Sequence, residues 1–158
     1  MAKYVLEEML RVRKFRKDVA EKNLKQAQVL VSEAENNVAK AEKALEDFKV
    51  FMEKESERLY QKIMMQKVKK GAVDELHYAI KILKNKLITH EQALDTEKSN
   101  LEKAKKNLEE KKVELQDASK NVEKIESHKE EWIKEANKID EMVADKELEE
   151  FAKKRKLD

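Results

Sequence analysis

Lys69-Lys70-Gly71-Ala72-Val73-Asp74 holds the only glycine of a 158-residue chain that has no proline. A chain with a single helix breaker has one place for a sharp reversal. Gly71 is the residue able to take the left-handed conformation that closes a helix C-terminus, with Lys69 and Lys70 facing the negative end of the helix dipole. Asp74 then fits as the N-cap of a second helix, with Glu75 in its first turn. The stretch therefore predicts an all-α fold of two long antiparallel helices in a coiled-coil hairpin. Helix one covers about 3–69, the turn 70–73 near Gly71, and helix two about 74–154, all in one domain.

Outward from the turn, composition agrees. Charged residues make up 44% of the chain, with 36 Lys and Arg against 34 Asp and Glu, as in long helices and coiled coils rather than globular cores. Disorder is the competing reading of so charged a chain, and apolar spacing decides against it. From Ala20 the positions Ala20, Leu24, Ala27, Val31, Ala34, Val38, Ala41, Leu45, Phe48 and Met52 alternate steps of four and three, a heptad seam. The small alanines predict close approach of a partner helix. Before them, Val5, Met9, Val12 and Val19 share a helical stripe.

The second segment repeats the pattern over twenty positions: Leu76, Ile80, Leu83, Leu87, His90, Leu94, Glu97, Leu101, Ala104, Leu108, Lys111, Leu115, Ala118, Val122, Ile125, Lys129, Trp132, Ala136, Ile139 and Val143. Two such helices joined by a short loop must supply each other's apolar face. Reflection about Gly71 and Ala72 sets Leu45 near Lys98 to Leu101, Leu24 near Val122, and Val12 near Trp132. At about 1.5 Å per residue helix two outruns helix one by about two to three turns. Val143 to Asp158 is then left without a partner.

Two regions depart from a plain coiled coil. Around the turn, Tyr60, Met64, Met65, Val68, Tyr78, Ile82 and Ile88 are apolar but off the seam. A two-helix hairpin buries one stripe per helix, so these either thicken the packing at the tip or form a partner-binding surface, which the adaptable methionines suit. At the other end, Lys3 to Lys25 holds eight basic and four acidic residues, while Asp140 to Glu150 holds six acids and one lysine before Lys153-Lys154-Arg155-Lys156.

Features of catalysis are missing. One glycine cannot build a phosphate loop. His77, His90 and His128 stand at no zinc-binding spacing, and His90, on the seam, reads as a register-fixing polar residue. A two-helix hairpin offers no cavity in which to desolvate carboxylates, so an enzyme is not expected and neither is a cofactor or metal. A net charge of +2 argues neither for nor against nucleic acid, but the basic N-terminal stretch has acids among its bases and no aromatic interleaving beyond Phe15, so nucleic acid is not expected as a partner. The N-terminus is too short and too charged for a secretory signal, and no apolar run approaches the roughly 18 residues of a membrane span. The absence of cysteine fits a reducing compartment. Trp132 reads as a large seam residue locking the two termini together.

The N-terminal Tyr4-Val5-Leu6-Glu7-Glu8-Met9-Leu10-Arg11-Val12-Arg13-Lys14, the turn at the lone Gly71, and His128-Lys129-Glu130-Glu131-Trp132-Ile133-Lys134-Glu135-Ala136 together resemble the stalk proteins of type III secretion systems, the YscO/FliJ family. The last string looks most like the chlamydial branch. Lys146-Glu147-Leu148-Glu149-Glu150-Phe151-Ala152-Lys153-Lys154-Arg155 is similar to the family's C-terminal pattern, with Glu149-Glu150 in place of the usual Asp-Glu.

The resemblance implies a central stalk component in the bacterial cytoplasm, peripheral to the inner membrane and not inserted in it. Its implied partners are a hexameric secretion ATPase, the cytoplasmic part of an export-gate membrane protein, and chaperones of secreted substrates. Carried onto this chain, the ATPase-pore contact is Arg11, Arg13, Lys14, Arg16, Lys17, Glu149, Glu150 and Arg155, and the gate contact is Tyr60, Met64, Met65, Tyr78 and Ile82. The injectisome, rather than the flagellar system, is the direction in which the Trp132 string points. Two other classes stay open: a structural coiled-coil adaptor or spacer without an ATPase, and a prefoldin-like holdase, which would carry its exposed apolar residues at the termini rather than at the turn.

Overall fold

The computed structural model describes residues 3–65 and 70–157. Among them are two helices and no strand: α1, Glu7–Met64, and α2, Lys70–Leu157, 58 and 88 residues long. They pack against each other as a hairpin. The chain divides into two compact units, one of Met1–Leu24 with Glu110–Asp158 and one of Lys25–Glu109.

In the turn unit the seam is as the spacing predicts. Ala27, Ala34 and Leu45 of α1 are buried, as are Leu76 and Leu83 of α2, and the intervening seam residues are half-buried. His90 lies on that seam with its ring 4.8 Å from the ring of Phe48, so the one seam histidine is spent on an aromatic contact. Alanine at alternate seam positions of α1 buries little surface, and cohesion comes from many small contacts repeated along the helices.

In the terminal unit the seam also continues, by a route the apolar residues alone do not reveal. Stepping back from Ala20 by three and four gives Lys17, Arg13, Leu10 and Leu6, and these residues are buried or half-buried. The predicted stripe of Val5, Met9, Val12 and Val19 is instead exposed. The two cations interrupt the apolar pattern while their aliphatic stems cover the seam and their charges reach water. Tyr4, just before α1, is buried with Leu10 against Val122 and Ile125, and Leu6 and Trp132 pack on the same cluster.

The reversal is displaced from the predicted one. Met65 is in a turn and its N–H donates to the Gln61 carbonyl at 3.2 Å, so α1 closes at Met64, while the predicted end at 69 falls among residues 66–69, outside those described. Val68 lies outside them too. Residues 70–73, expected as the turn, form the first turn of α2, and Gly71 has no positive φ. Asp74 is accordingly inside the helix, not at its cap. A helix is entered from ordinary negative φ, which needs no glycine. The other limits also shift: α1 begins at Glu7 rather than 3, with Glu7 N–H donating to the Tyr4 carbonyl at 3.3 Å, and α2 runs to Leu157 rather than 154.

Moving a reversal moves the pairing by twice as many residues, because both arms are reflected through it. Trp132 therefore meets Tyr4, at 5.3 Å between rings, and not Val12 about two turns further along. The unpartnered part of α2 is longer for the same reason. The seam stays covered as far as Ala136, and every residue from Asn137 to Leu157 is exposed, Ile139 and Val143 included.

Candidate functional site

Three surfaces carry the residues singled out from the sequence. The first is at the turn end, where Tyr60, Met64, Met65, Tyr78 and Ile82 are all exposed, Met64 at 85% and Met65 at 91%. Leu59, Ile63, Ala72, Leu76 and Ala79 line a cleft between the helices there, and none of the five exposed residues lines it. Their exposure favours the surface reading of these five over the thicker-packing one. What remains is an apolar surface of two tyrosines, two methionines and an isoleucine.

The second surface surrounds the start of α1. Tyr4 anchors it: the hydroxyl forms a 2.6 Å hydrogen bond with His128 Nδ1, and the ring packs on Trp132. Lys129 Nζ stands 5.9 Å from the centre of the same ring and reaches Glu7 Oε2 at 2.9 Å. That ammonium, chiefly by its hydrogen bond, holds the Glu7 carboxyl below its ordinary value of 4.5; burial opposes the shift, and the charges of Lys129, Lys14 and Lys3 add to it. Across the same pair of helices Lys14 reaches Glu126 at 3.6 Å. Tyr4 and His128 were not picked out individually from the sequence; continuing the four-three steps back to Leu6 would have pointed to the residues beside Tyr4.

The proposed basic contact is accordingly not a single patch. Arg11 and Arg16 are exposed, Arg11 in a 3.6 Å pair with Glu8, whereas Arg13 and Lys17 sit half-buried on the seam and Lys14 is engaged with Glu126. Glu149, Glu150 and Arg155 are exposed on the third surface, the part of α2 beyond Ala136. At about 1.5 Å per residue Glu149 is roughly 25 Å along α2 from Trp132, so the structure does not bring these acids together with the α1 bases.

No polar or charged side chain among the described residues is buried, and no three of their His, Asp and Glu side chains stand as a metal set. The other displaced titrations belong to one exposed pair, Glu55 and Arg58, whose mutual hydrogen bonds lower the first and raise the second. No helix among the described residues is long and apolar enough to cross a membrane. What the three surfaces offer is exposed apolar and charged side chains.

Comparison with known proteins meets this geometry over nearly the whole chain. The family described as type III secretion protein YscO matches residues 6–154. Among solved structures, a YscO homologue from Chlamydia trachomatis superposes with a TM-score of 0.78 at 29% identity, covering 97% of this chain and 94% of its own. The type III secretion protein YscO of Vibrio parahaemolyticus superposes with a TM-score of 0.87 at 27% identity, covering 92% of each chain. No curated protein gives a significant match.

Proposed function

Because the chain belongs to the YscO family of type III secretion proteins, we propose that it is the stalk of the export apparatus, linking a hexameric secretion ATPase to the export gate and handling substrate chaperones. It works in the bacterial cytoplasm at the inner membrane, as a binding and regulatory protein rather than an enzyme. The observation that carries this reading is the run of α2 from Asn137 to Leu157, exposed throughout and beyond the last α1 contact. A single helix of that kind can enter a ring of subunits. An asymmetric helix inside a symmetric ring touches its subunits unequally, and the difference in contact energy biases their nucleotide states.

In this reading Arg11, Arg16, Glu149, Glu150 and Arg155 contact the ATPase directly. Arg13, Lys14 and Lys17 contribute chiefly by keeping α1 and α2 paired beneath them. The turn surface of Tyr60, Met64, Met65, Tyr78 and Ile82 faces the gate.

The test is ATP hydrolysis by the cognate hexamer with and without the full chain, and with the chain reversed in charge at Arg11, Arg16, Glu149, Glu150 and Arg155. Stimulation by the native chain, reduced about tenfold or more by the reversal, is the expected outcome. Neither binding nor stimulation by the native chain would leave a coiled-coil adaptor.

A further inference from the structure

The heptad seam does not stop where α1 stops. From Ile125 the steps of four and three continue without a slip through Lys129, Trp132, Ala136, Ile139, Val143, Lys146, Glu150 and Lys153 to Leu157. As far as Ala136 this stripe is covered by the hairpin's own first helix and packs on its terminal cluster. Beyond it Ile139, Val143 and Leu157 are 61%, 50% and 86% exposed. An established helix–helix interface thus runs on, in register, into a segment that lacks its second helix. We infer that this segment pairs with the same segment of a second copy of the chain, antiparallel, about a twofold axis passing close to Leu148.

Charge selects both the occupant and the direction. The acids of the segment lie first, Asp140, Glu141, Asp145, Glu147, Glu149 and Glu150, and the bases last, Lys153, Lys154, Arg155 and Lys156, with Lys146 alone among the acids. Two parallel copies would set acid on acid and base on base. Two antiparallel copies crossing at Leu148 set Asp140 beside Lys154 of the other copy, flanking the seam, and do so twice by symmetry.

On the seam itself Ile139 meets Leu157, Val143 meets the stem of Lys153, and Lys146 meets Glu150, the last pairing occurring twice by symmetry. The patch is complementary to itself, which is what an isologous twofold interface requires. Polar residues on a coiled-coil seam specify register and direction at a cost in stability. Three heptads so constituted associate weakly, with half-dimerisation on the order of 10–100 µM.

The pairing rests on the seam and its charges and holds whether or not the stalk reading does. Where both hold they exclude each other in time, since the dimer covers Glu150 on the seam and Glu149 beside it. The second copy would then be a competitor that the ATPase must displace.

Sedimentation of the full chain from about 1 to 500 µM reads the association directly. Glu150→Lys leaves lysines at 146 and 150 of both copies, and Lys146→Glu leaves two glutamates. Each variant alone is expected to raise the half-dimerisation concentration at least about tenfold, with helicity by circular dichroism unchanged. An equimolar mixture of the two variants restores opposite charges at both seam crossings and is expected to dimerise like the native chain. Neither variant contains the intrahelical Lys146 to Glu150 pairing, so recovery in the mixture cannot come from helix propensity. A native chain that stays monomeric over the whole range overturns the inference. So does a dimer indifferent to both substitutions, or a mixture that fails to recover.

Discussion

Tyr4 shows how much one residue outside a helix can organise. It precedes α1, yet it is among the most buried side chains of the terminal unit, and its ring and hydroxyl tie Trp132, His128 and Lys129 of α2 to the start of α1. A phenol suits the place because one edge needs a polar partner and the rest is apolar. Glu7 completes the arrangement through Lys129 and makes it sensitive to acid. Its carboxyl titrates below 4.5 in the folded chain, so its contribution to stability is present above pH 4.5 and is lost as the pH falls through the folded value. Glu7→Gln should therefore melt below the native chain at neutral pH, with the gap closing as the pH falls from 4.5 through the lowered folded value. Thermal melts from neutral pH downward check it, and a gap that never narrows in acid would show that the carboxylate charge is irrelevant.

At the scale of the elements, the first turn of α2 is where glycine chemistry misleads. As the only residue free to adopt positive φ without strain, Gly71 reads as the pivot of the hairpin, but it is helical and a Cβ there would meet nothing within 4 Å. Gly71→Ala should then raise stability by about 0.5 kcal/mol, because alanine loses less backbone entropy on entering a helix. Had Gly71 been the left-handed closing residue, the same change would cost about 1 kcal/mol. The sign of the shift in the denaturant midpoint separates the two.

Arg13 and Lys17 teach the complementary lesson in α1. Reading the helix by its apolar residues selects Val5, Met9, Val12 and Val19, yet the seam passes through the two cations and leaves the valines out. Periodicity sustained from Ala20 was the better guide than side-chain type.

For the whole molecule, cohesion comes from the seam, and the surfaces outside it are free to serve partners. The five turn residues are exposed and sit beside, not in, the pairing of α1 with α2. Replacing Tyr60, Met64, Tyr78 and Ile82 together by serine should leave helicity unchanged and move the melting temperature by less than about 2 °C, while abolishing capture of the export gate's cytoplasmic domain. A large drop in melting temperature would instead make these residues part of the core.

The four-three spacing by itself determined that the chain is two paired helices, which residues face inward from Ala20 to Met52 and from Leu76 to Ala136, and that α2 outruns α1. Those properties follow from side-chain period, which is local. The N-terminal string from Tyr4 to Lys14, the lone glycine and the Trp132 string together were enough to indicate the family. Only the tertiary structure decided where the chain reverses, hence that Trp132 meets Tyr4 and that the uncovered part of α2 begins at Asn137. A heptad pattern is nearly unchanged by a shift of seven residues, so it fits several registers almost equally well. The choice among them falls to contacts that no period encodes: a tyrosine before the helix, its histidine and tryptophan, and one lysine shared with a glutamate.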